Sequence, residues 1–186
     1  MSVQVARHHF SISEYERMVE TGILRQDDRV ELIEGEVLEM SPIGERHAAC
    51  VRKINLRLVR LVGDRSLVSV QNPIAIPEWS EPQPDIALLV PRRDFYSTGH
   101  PEPKHVQVLI EVADSSIDYD LTVKVPLYAR AGVKEVWVID LRKREVIVFT
   151  NSRLGAYRTR RVFGRNATFE TKRVPGLAVS TNDLLL

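Results

Sequence analysis

The sequence has almost no cysteine and almost no net charge. Cys50 is the single cysteine among 186 residues, which excludes an internal disulfide and a zinc site built from several cysteines. Its place in a helical pattern predicts a small buried core residue. With 26 Lys and Arg against 25 Asp and Glu, the formal charge is +1, which excludes the broad positive field of an abundant nucleic-acid coat protein. Any contact with nucleic acid must therefore come from local basic patches or from an oligomer groove.

Long apolar runs and glycine-rich nucleotide loops are also missing from the sequence. No segment approaches the ~20 apolar residues of a membrane span, and the N-terminus does not resemble a signal peptide. We therefore expect a cytoplasmic protein without a membrane partner. No Gly-rich phosphate loop joins a strand to a helix, which argues against nucleotide-binding doubly wound folds. A Gly-x-Ser-x-Gly motif is absent too, so no serine-hydrolase elbow is predicted.

What the sequence does contain is a series of short strands interrupted by helical stretches. Helical spacing of apolar residues and capping residues predict helices at 13–21, 44–62 and about 121–131. Apolar and β-branched runs between Pro-rich turns predict strands at 29–33, 36–40, 67–71, 74–76, 85–90, 106–113, 135–140, 146–149, 157–163 and 167–172. The Glu34-Gly35 pair predicts a hairpin turn between the first two strands. This order predicts an α/β or α+β fold, with helices packed across a core sheet.

Acidic residues on predicted strands are the strongest functional feature of the chain. Glu111 interrupts an apolar strand, and Asp85 follows Pro84 at the start of another. A buried carboxylate without a partner is costly, so it should be protonated, paired or bound to a metal. Mg²⁺ or Mn²⁺ takes oxygen ligands, for example two carboxylates with water and a phosphate oxygen. A nearby amine such as Lys124 can polarise water or neutralise charge that builds on phosphate, so the set predicts phosphodiester hydrolysis.

Two further residues are candidates for the same site. Glu31 lies inside the first hairpin strand and is the third acidic candidate, whereas Glu34 at the turn is more typical of a solvated residue. His47, early in the long helix, is a candidate proton carrier or phosphate contact, although a core or surface role fits its position equally well.

Each member of the set also has an ordinary structural explanation. Asp85 after a proline can cap a turn at a strand start, and Glu111 can form a buried ion pair with an arginine. Lys124 alone is typical of a solvated helix lysine. Tyr128 and Trp137 are aromatics typical of a core or a dimer interface. Only the combination of acidic residues and lysine favours catalysis.

Basic residues form two groups late in the sequence. Arg142, Lys143 and Arg144 are consecutive in a predicted turn, and strand alternation places Arg158 and Arg160 on one face. We expect Arg158 and Arg160 to contact the phosphates of a nucleic acid. The alternative is an exposed edge strand that charge protects from aggregation.

Several of these segments follow the order of a known family. Pro84-Asp85 followed by Glu111-Val112-Ala113 resembles the bipartite signature of the PD-(D/E)XK nuclease-like superfamily, with Ala113 where the last lysine would stand. The chain is most similar to one branch, the "putative restriction endonuclease" family. The segments that carry the resemblance are 31–36, 40–42 with His47, 82–85, 111–112, Lys124 with 127–133, 135–140, and the closing turn 175–177.

The resemblance implies a restriction-endonuclease-like core, with a central mixed sheet flanked by helices and an N-terminal hairpin. We expect a single such domain over residues 1–186, with a core at about 29–150 and C-terminal strands at 157–178 appended. The resemblance also implies a homodimer and a Mg²⁺ or Mn²⁺ ion held by Asp85, Glu111 and the backbone carbonyl of Val112. In this branch the missing strand lysine is supplied from the next helix, a role that Lys124 takes here.

The function implied is a divalent-metal-dependent endonuclease that hydrolyses nucleic-acid phosphodiester bonds, with DNA as the expected partner. An alternative is a nuclease-fold module that binds DNA or regulates it with weak or no catalysis, because the signature lysine is displaced. A third possibility is a structural homodimer whose acidic cluster merely pairs with arginines.

Overall fold

The computed structural model describes residues 7–25 and 27–186, and its centre is a six-stranded mixed sheet. The strands of this sheet are β3 (Leu67–Val70), β4 (Ile86–Leu89), β5 (Val106–Ala113), β6 (Glu135–Asp140), β7 (Glu145–Arg153) and β8 (Ala156–Phe163). They lie side by side in sequence order. The β5–β6 pair is parallel and every other neighbouring pair is antiparallel. Strands β4 and β6 are buried at every residue, which explains their nearly continuous apolar sequence.

Shorter elements cover the two faces and the edges of the sheet. They are α1 (Ile12–Glu20), the antiparallel hairpin of β1 (Val30–Ile33) and β2 (Glu36–Glu39), α2 (Glu45–Val62), α3 (Ile117–Tyr119), a π-helical turn (Asp120–Lys124), α4 (Val125–Arg130), the antiparallel pair β9 (Thr168–Thr171) and β10 (Leu177–Ser180), and α5 (Thr181–Leu184). Among the described residues, no helix has the length and apolar content needed to cross a membrane.

Each sheet face has its own hydrophobic core. Helix α2 packs on one face through residues such as Ile54 and Leu58, together with Trp137 of β6. The opposite face is covered by α4, where Leu127 and Tyr128 join Val138 of β6. Trp137 and Tyr128 are both fully buried.

The expected fold class is confirmed: a mixed α+β core sheet with flanking helices and an N-terminal hairpin at Glu34-Gly35. Cys50 is a fully buried core residue, as predicted. The predicted strand at 74–76 is wrong. Its N–H groups bond to loop carbonyls instead, Ile74 to Pro82 and Ala75 to Pro101, because the flanking prolines leave too short a run to join a ladder.

The helical stretch before β6 also differs from its prediction. It begins at Ile117 rather than near residue 121, and Pro126 lies in the first turn of α4, where the missing N–H is tolerated. Between α3 and α4 the chain makes the π-helical turn, a feature that is rare and often found at functional sites. This stretch is the crossover that the parallel β5–β6 pair requires, so it passes over the sheet beside Glu111.

Candidate active site

Glu111 lies in β5 and is 2% exposed, and one of its carboxylate oxygens contacts two side chains of the crossover. The Lys124 ammonium is 3.4 Å from Glu111 Oε1, and the Tyr128 hydroxyl donates to the same oxygen at 2.6 Å. Strand alternation turns Glu111 toward the face that α4 covers, whereas its neighbours Ile110 and Val112 belong to the core on the α2 side. The crossover therefore places an amine and a phenol on an otherwise isolated buried carboxylate.

Lys124 joins Glu111 to the N-terminal hairpin. Its ammonium is 3.2 Å from Glu31 Oε2, and both side chains are buried. Glu31 also accepts hydrogen bonds from the Tyr119 hydroxyl at 3.2 Å and from the Gln83 N–H at 3.2 Å. Lys124 therefore lies between two carboxylates that come from separate sheets.

Asp85 stands just before β4, at the edge of this cluster. The Val112 N–H donates to Asp85 Oδ2 at 2.8 Å, and the Asp85 N–H contacts Glu111 Oε2 at 3.4 Å. His47, from the first turns of α2, places Nε2 3.0 Å from each Asp85 carboxylate oxygen. Its other ring nitrogen is buried without a hydrogen-bond partner in the part of the chain that the structure describes. The structure thus brings together Glu31, His47, Asp85, Glu111 and Lys124.

Three residues of this cluster were not predicted as site residues. Asp120 is 4% exposed and accepts a hydrogen bond from Ser116 Oγ at 2.8 Å, while Tyr119 and Tyr128 donate to the two glutamates. Asp120, Lys124 and Tyr128 recur at four-residue spacing, a pattern that places side chains on one side of a helix and was visible in the sequence.

Burial and mutual charge set the protonation of the cluster. Burial raises the pKa of Glu111, with Lys124 acting in the opposite direction. Burial also raises the pKa of Asp120 to about 6. Burial lowers the pKa of Lys124, but attraction to Glu111 and Glu31 outweighs it and the net pKa is raised, so the amine stays charged. The hydrogen bond with Asp85 raises the pKa of His47.

The donors present suit a hard divalent cation, although the protein supplies few of them. Within residues 7–25 and 27–186, no three His, Cys, Asp or Glu side chains form a ready metal cluster. Asp85 and Glu111 nevertheless bring carboxylates to neighbouring positions, since the Asp85 backbone N–H lies 3.4 Å from Glu111 Oε2 and the Val112 N–H donates to Asp85 Oδ2. The Val112 carbonyl stays a predicted ligand. Mg²⁺ is usually held by one or two carboxylates, with water and substrate phosphate filling the other positions. The donor set fits that mode of binding.

The remaining predicted residues, Arg158 and Arg160, lie apart from the cluster. Both are exposed on β8, the outermost strand, three strands from β5. At about 4.8 Å per strand, that separation is roughly 14 Å. A role in nucleic-acid contact stays a prediction for this pair.

Comparison with solved structures identifies a protein of similar architecture. It is a protein from Anabaena variabilis ATCC 29413, whose crystal structure is titled a "putative nuclease belonging to DUF820". The two chains share 18% identity with a TM-score of 0.64, and the alignment covers 94% of this chain and 97% of the other. At that identity the match shows the fold alone. A comparison with curated proteins finds no match.

A family profile described as "Uma2: Putative restriction endonuclease" matches residues 12–182. The match spans the N-terminal hairpin, the central sheet and the whole cluster. It confirms the resemblance drawn from the sequence and supports nuclease activity in general. The chain belongs to the Uma2 family.

Proposed function

We propose that the protein is a divalent-metal-dependent endonuclease that hydrolyses phosphodiester bonds in nucleic acid, DNA being the expected substrate. One observation carries this proposal. The buried Lys124 of the crossover lies within 3.4 Å of the Glu31 and Glu111 carboxylates. A third carboxylate, that of Asp85, accepts a hydrogen bond from the Val112 N–H in β5, the strand that carries Glu111. Several acids around one amine are costly to bury, and such an arrangement is typical of sites that bind cations and charged substrates.

Asp85 and Glu111, with the Val112 carbonyl, would hold Mg²⁺ or Mn²⁺. When bound, such an ion supplies positive charge to phosphate oxygens and acidifies coordinated water. Glu111 Oε2 lies 3.4 Å from the backbone N–H of Asp85, whereas Oε1 contacts Lys124 and Tyr128. The crossover therefore anchors Oε1 and leaves Oε2 as the Glu111 oxygen that would bind the ion.

The chain's own residues divide the remaining tasks. Lys124 keeps a charged amine next to Glu111, where it can orient water and offset charge that develops on the phosphate. Glu31 holds that amine from the opposite side, and Tyr119 in turn holds Glu31. His47 orients the Asp85 carboxylate through both of its oxygens.

A plasmid-nicking assay tests the proposal. Wild type should convert supercoiled DNA to nicked circles with Mg²⁺ or Mn²⁺ but not with EDTA. Glu111→Gln should slow nicking by at least about 100-fold, on the scale expected for loss of one charge-stabilising group. Glu145→Gln, a half-buried glutamate at the start of β7, is the matched control and should retain wild-type activity. Equal nicking by wild type and Glu111→Gln would reject the proposal.

The ion pairs of Lys124 and His47 support a second candidate function, nucleic-acid binding without cleavage. Both Lys124 and His47 already face carboxylates, and Ala113 occupies the strand position of the usual lysine. A module that binds nucleic acid without cutting it would show salt-dependent binding and no nicking under any divalent metal. The expected homodimer stays a prediction, which sedimentation analysis would check.

A further inference from the structure

The turn between β6 and β7 presents three consecutive basic side chains at the edge of the candidate site. We propose that Arg142, Lys143 and Arg144 contact the phosphate backbone of the nucleic acid beside the bond to be cut. This inference rests on the proposed function and adds to it the surface that positions the substrate. Phosphate contacts of this kind fix register without reading sequence.

The position of the turn follows from strand register. Ala113 of β5 pairs with Asp140 of β6 in the parallel ladder, and the Leu141 N–H donates to the Ala113 carbonyl at 2.9 Å. At about 3.3 Å per residue and 4.8 Å between strands, Asp140 lies roughly 8 Å from Glu111 along the sheet. The turn therefore follows β6 at the same end of the strands where the acidic cluster lies.

The backbone of the turn is fixed by a buried side chain. Asp140 is 3% exposed, and its Oδ1 accepts hydrogen bonds from the N–H groups of Arg142 and Lys143, each at 2.9 Å. Arg144 has a left-handed backbone with φ of 57° and leads directly into β7. A turn held in this way presents its side chains in a constant direction, so less ordering is needed when a phosphate binds.

The charges of this turn are open to solvent. Arg142, Lys143 and Arg144 are exposed, and none forms an ion pair with a described acidic residue. Some other exposed arginines are neutralised locally, as Arg130 is by Glu34 at 2.6 Å. Since the whole chain has a formal charge of only +1, this unpaired group is a local attraction for polyanions.

Arg46 connects the turn with the helix that carries His47. Its guanidinium is 3.2 Å from Asp114 Oδ1, just after β5, and donates to the Leu141 carbonyl at 3.1 Å. Arg46 and Arg144 also line one cavity of about 120 Å³. Arg46 is itself paired with Asp114, so its contacts fix the turn against the first turn of α2, where His47 contacts Asp85, and the uncompensated charge lies on the turn.

Salt-dependent binding tests the inference without requiring catalysis. Fluorescence anisotropy would follow a labelled DNA duplex of about 20 base pairs in EDTA, with salt varied from about 50 to 200 mM. The variant Arg142→Gln/Lys143→Gln/Arg144→Gln should reduce the slope of log affinity against log salt by about 2 to 3, because each phosphate that is no longer neutralised lowers the slope by about one. The double variant Arg142→Gln/Lys143→Gln should show about two-thirds of that change.

The matched control is Arg60→Gln/Lys172→Gln/Arg173→Gln, which removes the same charge from exposed residues in the last turn of α2 and just after β9. Its slope should stay close to wild type. An equal change in both triple variants, or a change in the control alone, would overturn the inference. Absence of wild-type binding would overturn it together with the proposed function. Binding that depends on the turn without nicking would reject the proposed function and leave the inference standing. Thermal unfolding of each variant confirms that it is folded.

Discussion

Glu111 and Glu81 are both buried glutamates, 2% and 6% exposed, but their surroundings differ. Glu111 is met by an ammonium and a phenol, whereas Glu81 Oε2 has no hydrogen-bond partner among the described residues. Burial, with a smaller contribution from Glu16, raises the pKa of Glu81 to about 7. A buried carboxylate without a partner is therefore destabilised in its charged form, and it becomes protonated more readily. Groups aimed at it from other elements make it a candidate site.

Removing the Lys124 amine should have the largest effect, because Glu111 then loses the charged partner that Glu81 lacks. Lys124→Met leaves Glu31 and Glu111 without their shared cation, so we expect a loss of about 3 to 5 kcal/mol in the free energy of unfolding. Nicking should fall to background as well. Urea unfolding at pH 8 and the plasmid assay measure the two effects. Lys134→Met, at an exposed lysine before β6, is the control; a Lys124→Met protein as stable and active as this control would show that the amine does not support the cluster.

Removing the charge of Glu81 should instead raise the stability of the protein. Its folded pKa of about 7 lies above the ordinary 4.5, so the folded state binds a proton that the unfolded state has lost between these values. The stabilisation is fully present below pH 4.5 and disappears as the pH rises through about 7. Glu81→Gln should therefore be more stable than wild type at pH 8, by up to about 3 kcal/mol, and lose this advantage at low pH.

Urea unfolding across this pH range measures the Glu81 prediction. Glu78→Gln, at an exposed neighbouring glutamate, is the matched control and should show no such pH-dependent gain. An advantage of Glu81→Gln that is constant with pH would indicate a packing effect rather than proton binding.

Deleting one hydroxyl should give the smallest effect. Tyr128→Phe removes the 2.6 Å hydrogen bond to Glu111 and leaves Lys124 in place, so we expect a stability loss of about 1 to 2 kcal/mol. Nicking should slow by about tenfold because Glu111 is less firmly oriented. Tyr157→Phe removes a hydroxyl that donates to the Val133 carbonyl at 2.9 Å, and should lose stability without losing activity. Equal activity losses in the two variants would make the Tyr128 contact merely structural.

The sequence predicted the sheet and the acidic residues because both follow local rules. Apolar runs identified β5 and β6, and Glu111 was conspicuous since a charge in such a run needs a partner. The roles of Asp120 and Tyr128 depend on the crossover, whose start and π-helical turn were missed because Pro126 suggested a break. The contact of Asp85 with the Val112 N–H joins residues on different elements, which local patterns do not reveal.

Calorimetric titration with Mn²⁺ tests the central claim most directly, because it measures cation binding at the carboxylates apart from cleavage. Wild type should bind one Mn²⁺ per chain at pH 8, and Asp85→Asn should show no saturable binding. Equal binding by both proteins, or none by wild type, would contradict the assignment of Asp85 and Glu111 as the residues that hold the ion.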